Sequence, residues 1–227
     1  MKQTMLCILA CVSIFQNLAA STDSVWLSIR LSYQNRTVQL DEPSDSLLLT
    51  TARFYLSAFE FYNNNRLVHQ EQTYHLIDLE QPNTCVLKFN APGMKGVDEI
   101  RFRLGVDSLA NVSGALGGAL DPTLGMYWAW NSGYINVKLE GQYSKSDARN
   151  QTFEFHLGGY LPPYPTLQYI QTKANHSGDH LLLNLELSNL IQQVNWKDTH
   201  HIMSPGAEAV RLSVILASSF SLSVISP

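Results

Sequence analysis

Glu99-Ile100-Arg101-Phe102-Arg103-Leu104 places an apolar residue at every second position with a charged one between. Successive side chains of an extended strand point to opposite sides of a sheet. Ile100, Phe102 and Leu104 are therefore expected to face a core, and Glu99, Arg101 and Arg103 to face water. The same period recurs along the chain. Residues 181–187 put Leu181, Leu183, Leu185 and Leu187 on one face, with His180, Asn184 and Glu186 on the other. Residues 25–33 set Leu27, Ile29 and Leu31 against Trp26 and Ser28. In residues 47–62, Phe54, Leu56 and Ala58 alternate with Tyr55, Ser57 and Phe59 until Asn63-Asn64-Asn65 breaks the run.

Residues 67–69 and 73–78 then read as the two arms of a hairpin, and further strands are expected over 84–90, 134–143, 152–157 and 167–173. Residues 188–193 read as a short helix. Ser204-Pro205 looks like a helix start, with serine as the cap and proline at the first position, ahead of a tail that suits helix or strand. No internal repeat or linker divides the chain. The pattern predicts an all-β fold: a single antiparallel β-sandwich of eight to ten strands, with a long loop and a short C-terminal helix.

The chain has 227 residues, of which 45% are hydrophobic and 15% charged, enough for a substantial core. A net charge of −4 lacks the basic footprint of a nucleic-acid binder. Residues 1–20 read as a secretory signal peptide: Lys2, then an apolar run from Met5 to Phe15, then Ala19-Ala20 for cleavage. Gln16-Asn17 stops the run short of the roughly 20 apolar residues of a membrane span, so no transmembrane segment is expected once the signal is removed. Leu9-Ala10-Cys11 would leave only residues 1–10 as a lipoprotein signal, so anchoring at Cys11 is not expected. The expected location is the periplasm or the exterior, and residues 21–227 form the expected mature domain. Cys85 is then the single remaining cysteine, in an apolar run that suits a buried, inert thiol.

Residues 107–125 are rich in small and turn-forming types and carry no strand pattern, and a loop of that length usually has a function. Directly after them comes Met126-Tyr127-Trp128-Ala129-Trp130-Asn131-Ser132-Gly133-Tyr134. Trp128 and Trp130 share a face if the segment is extended. The pair suits a core plug, a stacking platform or a pocket wall. Signatures of hydrolases, zinc proteases and nucleotide-binding loops are missing, and Glu140 and Glu154 are not selected by spacing as a glycosidase pair, so no enzyme is expected. His75, His156 and His180 lie in strand-like contexts, and imidazole suits copper, zinc and iron. No His-x-His pair occurs on these strands, so a metal site would have to be assembled across strands.

Six segments in order resemble the family of MbnP-like proteins. They are Phe54-Tyr55-Leu56-Ser57-Ala58-Phe59-Glu60, Tyr74-His75-Leu76-Ile77-Asp78, Arg101-Phe102-Arg103-Leu104-Gly105-Val106-Asp107, the tryptophan segment, Phe153-Glu154-Phe155-His156-Leu157-Gly158-Gly159, and Met203-Ser204-Pro205-Gly206. The resemblance implies an exported β-sandwich that binds copper. It also implies a partner, a dihaem cytochrome c peroxidase-like enzyme of MbnH type, which oxidises a tryptophan to kynurenine. By position, Trp128 or Trp130 would carry the modification and His75 and His156 would bind the metal, with His180 as a third candidate. Two other readings stand beside this one. Trp128 and Trp130 could close one end of the sandwich with Tyr127 and Tyr134. They could also form the stacking surface of a carbohydrate-binding or adhesion module, and ring exposure separates these cases.

Overall fold

The computed structural model describes residues 22–131 and 133–226, so the expected signal peptide and Cys11 lie outside the described residues. In chain order the strands are β1 (Thr22–Tyr33), β2 (Arg36–Thr37), β3 (Leu47–Asn63), β4 (Arg66–Gln70), β5 (Tyr74–Asp78), β6 (Val86–Pro92), β7 (Val97–Leu104), β8 (Tyr127–Trp128), β9 (Gly133–Tyr143), β10 (Thr152–Gly158), β11 (Gln168–Gly178), β12 (His180–Glu186), β13 (His201–Ile202) and β14 (Phe220–Val224). Among the described residues three α-helices accompany them: α1 (Ser108–Val112), α2 (Ser188–Gln193) and α3 (Ala207–Ala217).

The first sheet runs β14-β12-β1-β2, with β6 also paired to β1. The second runs β11-β7-β3-β9-β10-β13, with β4 and β5 on β3 and β8 on β9. The expected all-β sandwich is what the chain forms. Its sheets are mixed rather than purely antiparallel, because β1 pairs in parallel with β12, and β10 with β13. The expected leucine face of β12 is fully buried, and together with Leu27, Ile29 and Leu31 of β1 it meets Phe54, Leu56, Phe102, Val137 and Phe155 of the second sheet in one core. α3 adds Ala209, Leu212 and Leu216 to that core.

Four details depart from the sequence pattern. Ala58 adopts a left-handed φ of 51°, and the β3–β7 register shifts between Ser57 and Glu60. This β-bulge turns Phe59 and Phe61 onto the core face beside Phe54 and Leu56, so the simple alternation fails at Ala58. β4 and β5 do not pair as a hairpin; each lies against a different stretch of the 17-residue β3. Glu99 is buried, not at water, because Arg101 Nε and Gln171 Nε2 donate to its carboxylate at 2.8 and 2.9 Å. α3 starts after Gly206, two residues beyond the serine expected to cap it. Cys85 ends a half-buried turn at Pro82–Cys85, where burial pushes its thiol pKa up.

Candidate functional site

The long loop is packed onto the outer face of the second sheet by hydrogen-bonding side chains. The Asp107 side chain accepts from the Ala110 amide and caps α1. It also accepts from the Tyr74 hydroxyl of β5 at 2.7 Å. Asn111 donates to Val106 O and Asp107 O and accepts the Tyr134 amide at 2.8 Å. The Tyr134 hydroxyl receives the Leu116 amide at 3.0 Å and lies 3.1 Å from both Gly114 O and Leu120 O. The Tyr55 hydroxyl donates to Ala119 O, and burial pushes its pKa far above the usual tyrosine range. Beneath these bonds, Tyr55, Val106, Leu120, Met126, Trp128 and Tyr134 form a second small core. The loop is a fixed cover with its own packing, so it can hold Trp128 in one place.

The two tryptophans differ in exposure. Trp128 is 5% exposed and Trp130 67%, with ring centroids 5.7 Å apart and tilted by 41°. One ring is a plug and the other stands in solvent, so the pair does not present two rings as a platform. A Cβ built on Gly158 would lie 2.7 Å from Trp128 Cζ3, so the six-membered ring rests against the Gly158 backbone. The buried Trp128 Nε1–H has no hydrogen-bond partner among the described residues. Leaving a buried donor unpaired costs about 1–3 kcal/mol, and such atoms in native structures call for an explanation.

His156 lies two residues before Gly158 on β10, and therefore on the same face as the Trp128 ring, about 7 Å along the strand. It is buried, and its Nε2 is 2.6 Å from Glu140 Oε1 on neighbouring β9. Burial pushes the imidazole pKa down, outweighing the opposing pull of Glu140. Burial also raises the Glu140 carboxyl, but hydrogen bonds from His156 and Thr51 and the nearby Lys138 hold it below the usual carboxylate range. A neutral imidazole next to an ionised carboxylate assigns the tautomer: Nε2–H donates to Glu140 and Nδ1 keeps its lone pair. A carboxylate orienting an imidazole in this way is the usual second partner of a metal-binding histidine.

The other candidate histidines are elsewhere. His75 sits opposite Leu56 on the core side of β5, edge-on to Phe59 and Phe89, with its Nε2 2.6 Å from Glu71 Oε1 and 3.0 Å from Thr73 Oγ1. His180 lies on the outer face of the other sheet, stacked on Trp26 at 6.3 Å. The structure thus pairs Trp128 with Trp130, places His156 two residues along β10 from the glycine on which Trp128 rests, and sets His75 and His180 in other surroundings. Among the described residues no group of three or more His, Cys, Asp or Glu side chains is arranged to hold a metal. Sequence reasoning missed Glu140 as the partner of His156. The signal was there in outline, since Glu140 and His156 alternate outward on adjacent strands, but only the β9–β10 register pairs those strands correctly.

Comparison with known proteins follows the same outline. A model of the MbnP family matches residues 22–204. The solved structure of MbnP from Methylosinus trichosporium is similar to this one with a TM-score of 0.61 at 15% identity, covering 90% of this chain and 99% of that one. A search of curated protein sequences gives no match. Because the family model spans well over half of the sequence, from the first described strand to just before α3, the chain belongs to the MbnP family.

Proposed function

We propose that this protein is an exported copper-binding protein whose site forms at Trp128 and His156 once Trp128 has been opened to kynurenine by a dihaem peroxidase-like partner. The observation that carries this reading is the buried Trp128 Nε1–H, without a partner among the described residues, on the strand face that holds His156. At the partner enzyme, two equivalents of peroxide reduced to water would add one oxygen atom each to Cγ and Cδ1 as the bond between them is cleaved. Hydrolytic release of Cδ1 as formate would then turn Nε1 into an aryl amine and Cγ into a ketone. These are two donor groups that an indole lacks. The opened ring also has the rotational freedom to pair an atom that the closed ring leaves unpaired.

The residues fit copper in this modified form. Copper is the cargo here, and nitrogen donors of the imidazole and amine type suit it. His156 would present Nδ1 while Glu140 fixes the ring through Nε2. Tyr55, Met126 and Tyr134 exclude water around Trp128. Trp130 is the exposed ring of the pair, so an oxidant acting from solvent would meet it first and draw electrons from Trp128, whose ring centroid is 5.7 Å from that of Trp130. Since the unmodified side chains supply no three-ligand cluster among the described residues, copper capture is expected to depend on the modification.

The test is copper binding by the wild type, Trp128→Phe and His156→Ala, each matured together with the partner enzyme and checked for folding by circular dichroism. The reading expects copper in the wild type and its loss in both folded variants. Undiminished copper in folded His156→Ala would overturn the ligand assignment.

A further inference from the structure

On the outer face of the second sheet, toward its β11 edge, a hollow of about 310 Å³ lies beside the Ala58 bulge between β3, β7 and β11. Arg101 and Arg103 of β7, Glu60 of β3, Gln171 and Tyr169 of β11, and Gln72 line it. A second hollow of about 560 Å³ shares Arg103 and Tyr169 and continues past Asp107 to Leu109 and Tyr160. The two hollows adjoin at the Arg103–Tyr169 pair, where the guanidinium lies 5.3 Å from the ring centroid, and together make one groove. Tyr169 is 74% exposed, an unusually open position for an aromatic ring on a strand. The groove is separate from His156, because β3 and β9 lie between β7 and β10.

The chemistry of the groove narrows its ligand. Each guanidinium already has a carboxylate: Arg101 Nε is 2.8 Å from Glu99, and Arg103 Nη1 is 3.4 Å from Asp107. Glu60 adds a further negative charge and accepts the Tyr62 hydroxyl at 2.7 Å. Two cations facing three carboxylates do not make an anion site. What remains is a mixture of planar donors and acceptors (guanidinium, amide and carboxylate) beside the open ring of Tyr169. β7 is paired on both sides, so its backbone has no free edge on which an extended peptide could add as a strand. Planar polar groups beside aromatic rings suit a neutral polyhydroxylated ring, whose hydroxyls take bidentate hydrogen bonds and whose C–H face packs on tyrosine.

We propose that this groove is a binding site for a neutral oligosaccharide, with Tyr169 as the stacking residue and Arg101, Arg103 and the two glutamines as hydroxyl partners. The site is independent of copper capture, so either reading can fail without the other.

The test is affinity electrophoresis of the protein through gels containing xylan, hydroxyethylcellulose, laminarin, galactomannan, amylopectin or glycol chitin, with alginate as the anionic comparison. The proposal expects retardation by at least one neutral polymer. It expects affinity weakened about tenfold or more in Tyr169→Ala, as the loss of one aromatic contact of about 1.4 kcal/mol implies. Tyr169 is exposed, so this variant keeps the fold. Three results would overturn the proposal: no retardation by any neutral polymer, retardation by alginate alone, or loss of retardation in Trp130→Ala with Tyr169→Ala unaffected.

Discussion

Gly158→Ala puts a methyl group where the Trp128 ring already rests. The added Cβ would stand 2.7 Å from Cζ3 and 2.9 Å from Cη2 of that ring, and 2.7 Å from the Tyr134 carbonyl oxygen. Ordinary contact begins near 3.4 Å, so the methyl is too close by about 0.7 Å on two sides. The Tyr134 carbonyl belongs to β9, a strand paired on both flanks, and cannot yield. The ring must therefore move, against a loop held by Tyr55, Asn111 and Tyr134. Overpacking of this kind costs about 1–3 kcal/mol. The smaller unfolded-state entropy of alanine returns about 0.4–1 kcal/mol. A net loss of about 1–2 kcal/mol lowers the melting temperature by about 2–8 °C in a chain of this size. Thermal unfolding followed by circular dichroism measures the shift, and the near-ultraviolet tryptophan bands report the ring displacement. Gly117→Ala is the control, because its Cβ meets nothing within 4 Å and its φ of −101° suits alanine. An unchanged melting temperature together with unchanged near-ultraviolet bands in Gly158→Ala would refute the placement of Trp128.

Tyr134→Phe removes the hydroxyl that receives the Leu116 amide and anchors the loop, and should destabilise the fold by about 1–3 kcal/mol in urea denaturation; a midpoint equal to wild type would show that the loop does not depend on it. The Glu186 carboxylate accepts from Ser32 Oγ, Ser188 Oγ and the backbone amides of Gln34, Asn35 and Ser188. Burial raises its pKa, but these bonds outweigh it and hold the value below the usual glutamate range. The folded state thus binds this proton less readily than the unfolded state. The stabilisation is present above the unfolded value of about 4.3 and is lost as pH falls through the lower folded value. Denaturation midpoints measured from pH 5 down to pH 2 should therefore fall less steeply for Glu186→Gln than for wild type, and parallel curves would contradict the assignment.

Much of the sandwich is written in period-two runs. β7 and β12 were readable because Ile100, Phe102 and Leu104, and Leu181 through Leu187, alternate without interruption. The pairing partners were not readable. β1 runs parallel to β12, whose residues lie more than 150 positions away, and no local pattern encodes so distant a contact. Ala58 carries no turn residue to announce its bulge, so the pattern misassigned Phe59 to the outer face. Glu99 looked solvated because the Arg101 ion pair and the Gln171 amide donor that allow its burial depend on rotamer and on the β7–β11 register, which residue types do not show. At the candidate site, the two-residue spacing corresponds to two tilted rings with centroids 5.7 Å apart, whereas the three strand histidines lie at three separate places. Which histidine shares a face with Trp128 depends on β10 being regular through Gly158 while β9 bulges opposite it, a matter of register that residue types do not show.

The central claim is that Trp128, the buried ring beside His156, is opened to kynurenine and thereby completes a copper site. The most direct measurement is tandem mass spectrometry of the peptide spanning Tyr127 to Trp130, from protein matured with its partner enzyme, with copper quantified in the same sample. The account predicts kynurenine at position 128, an intact indole at Trp130, and copper in proportion to the modified fraction. Two intact indoles in protein that nonetheless carries copper would contradict it.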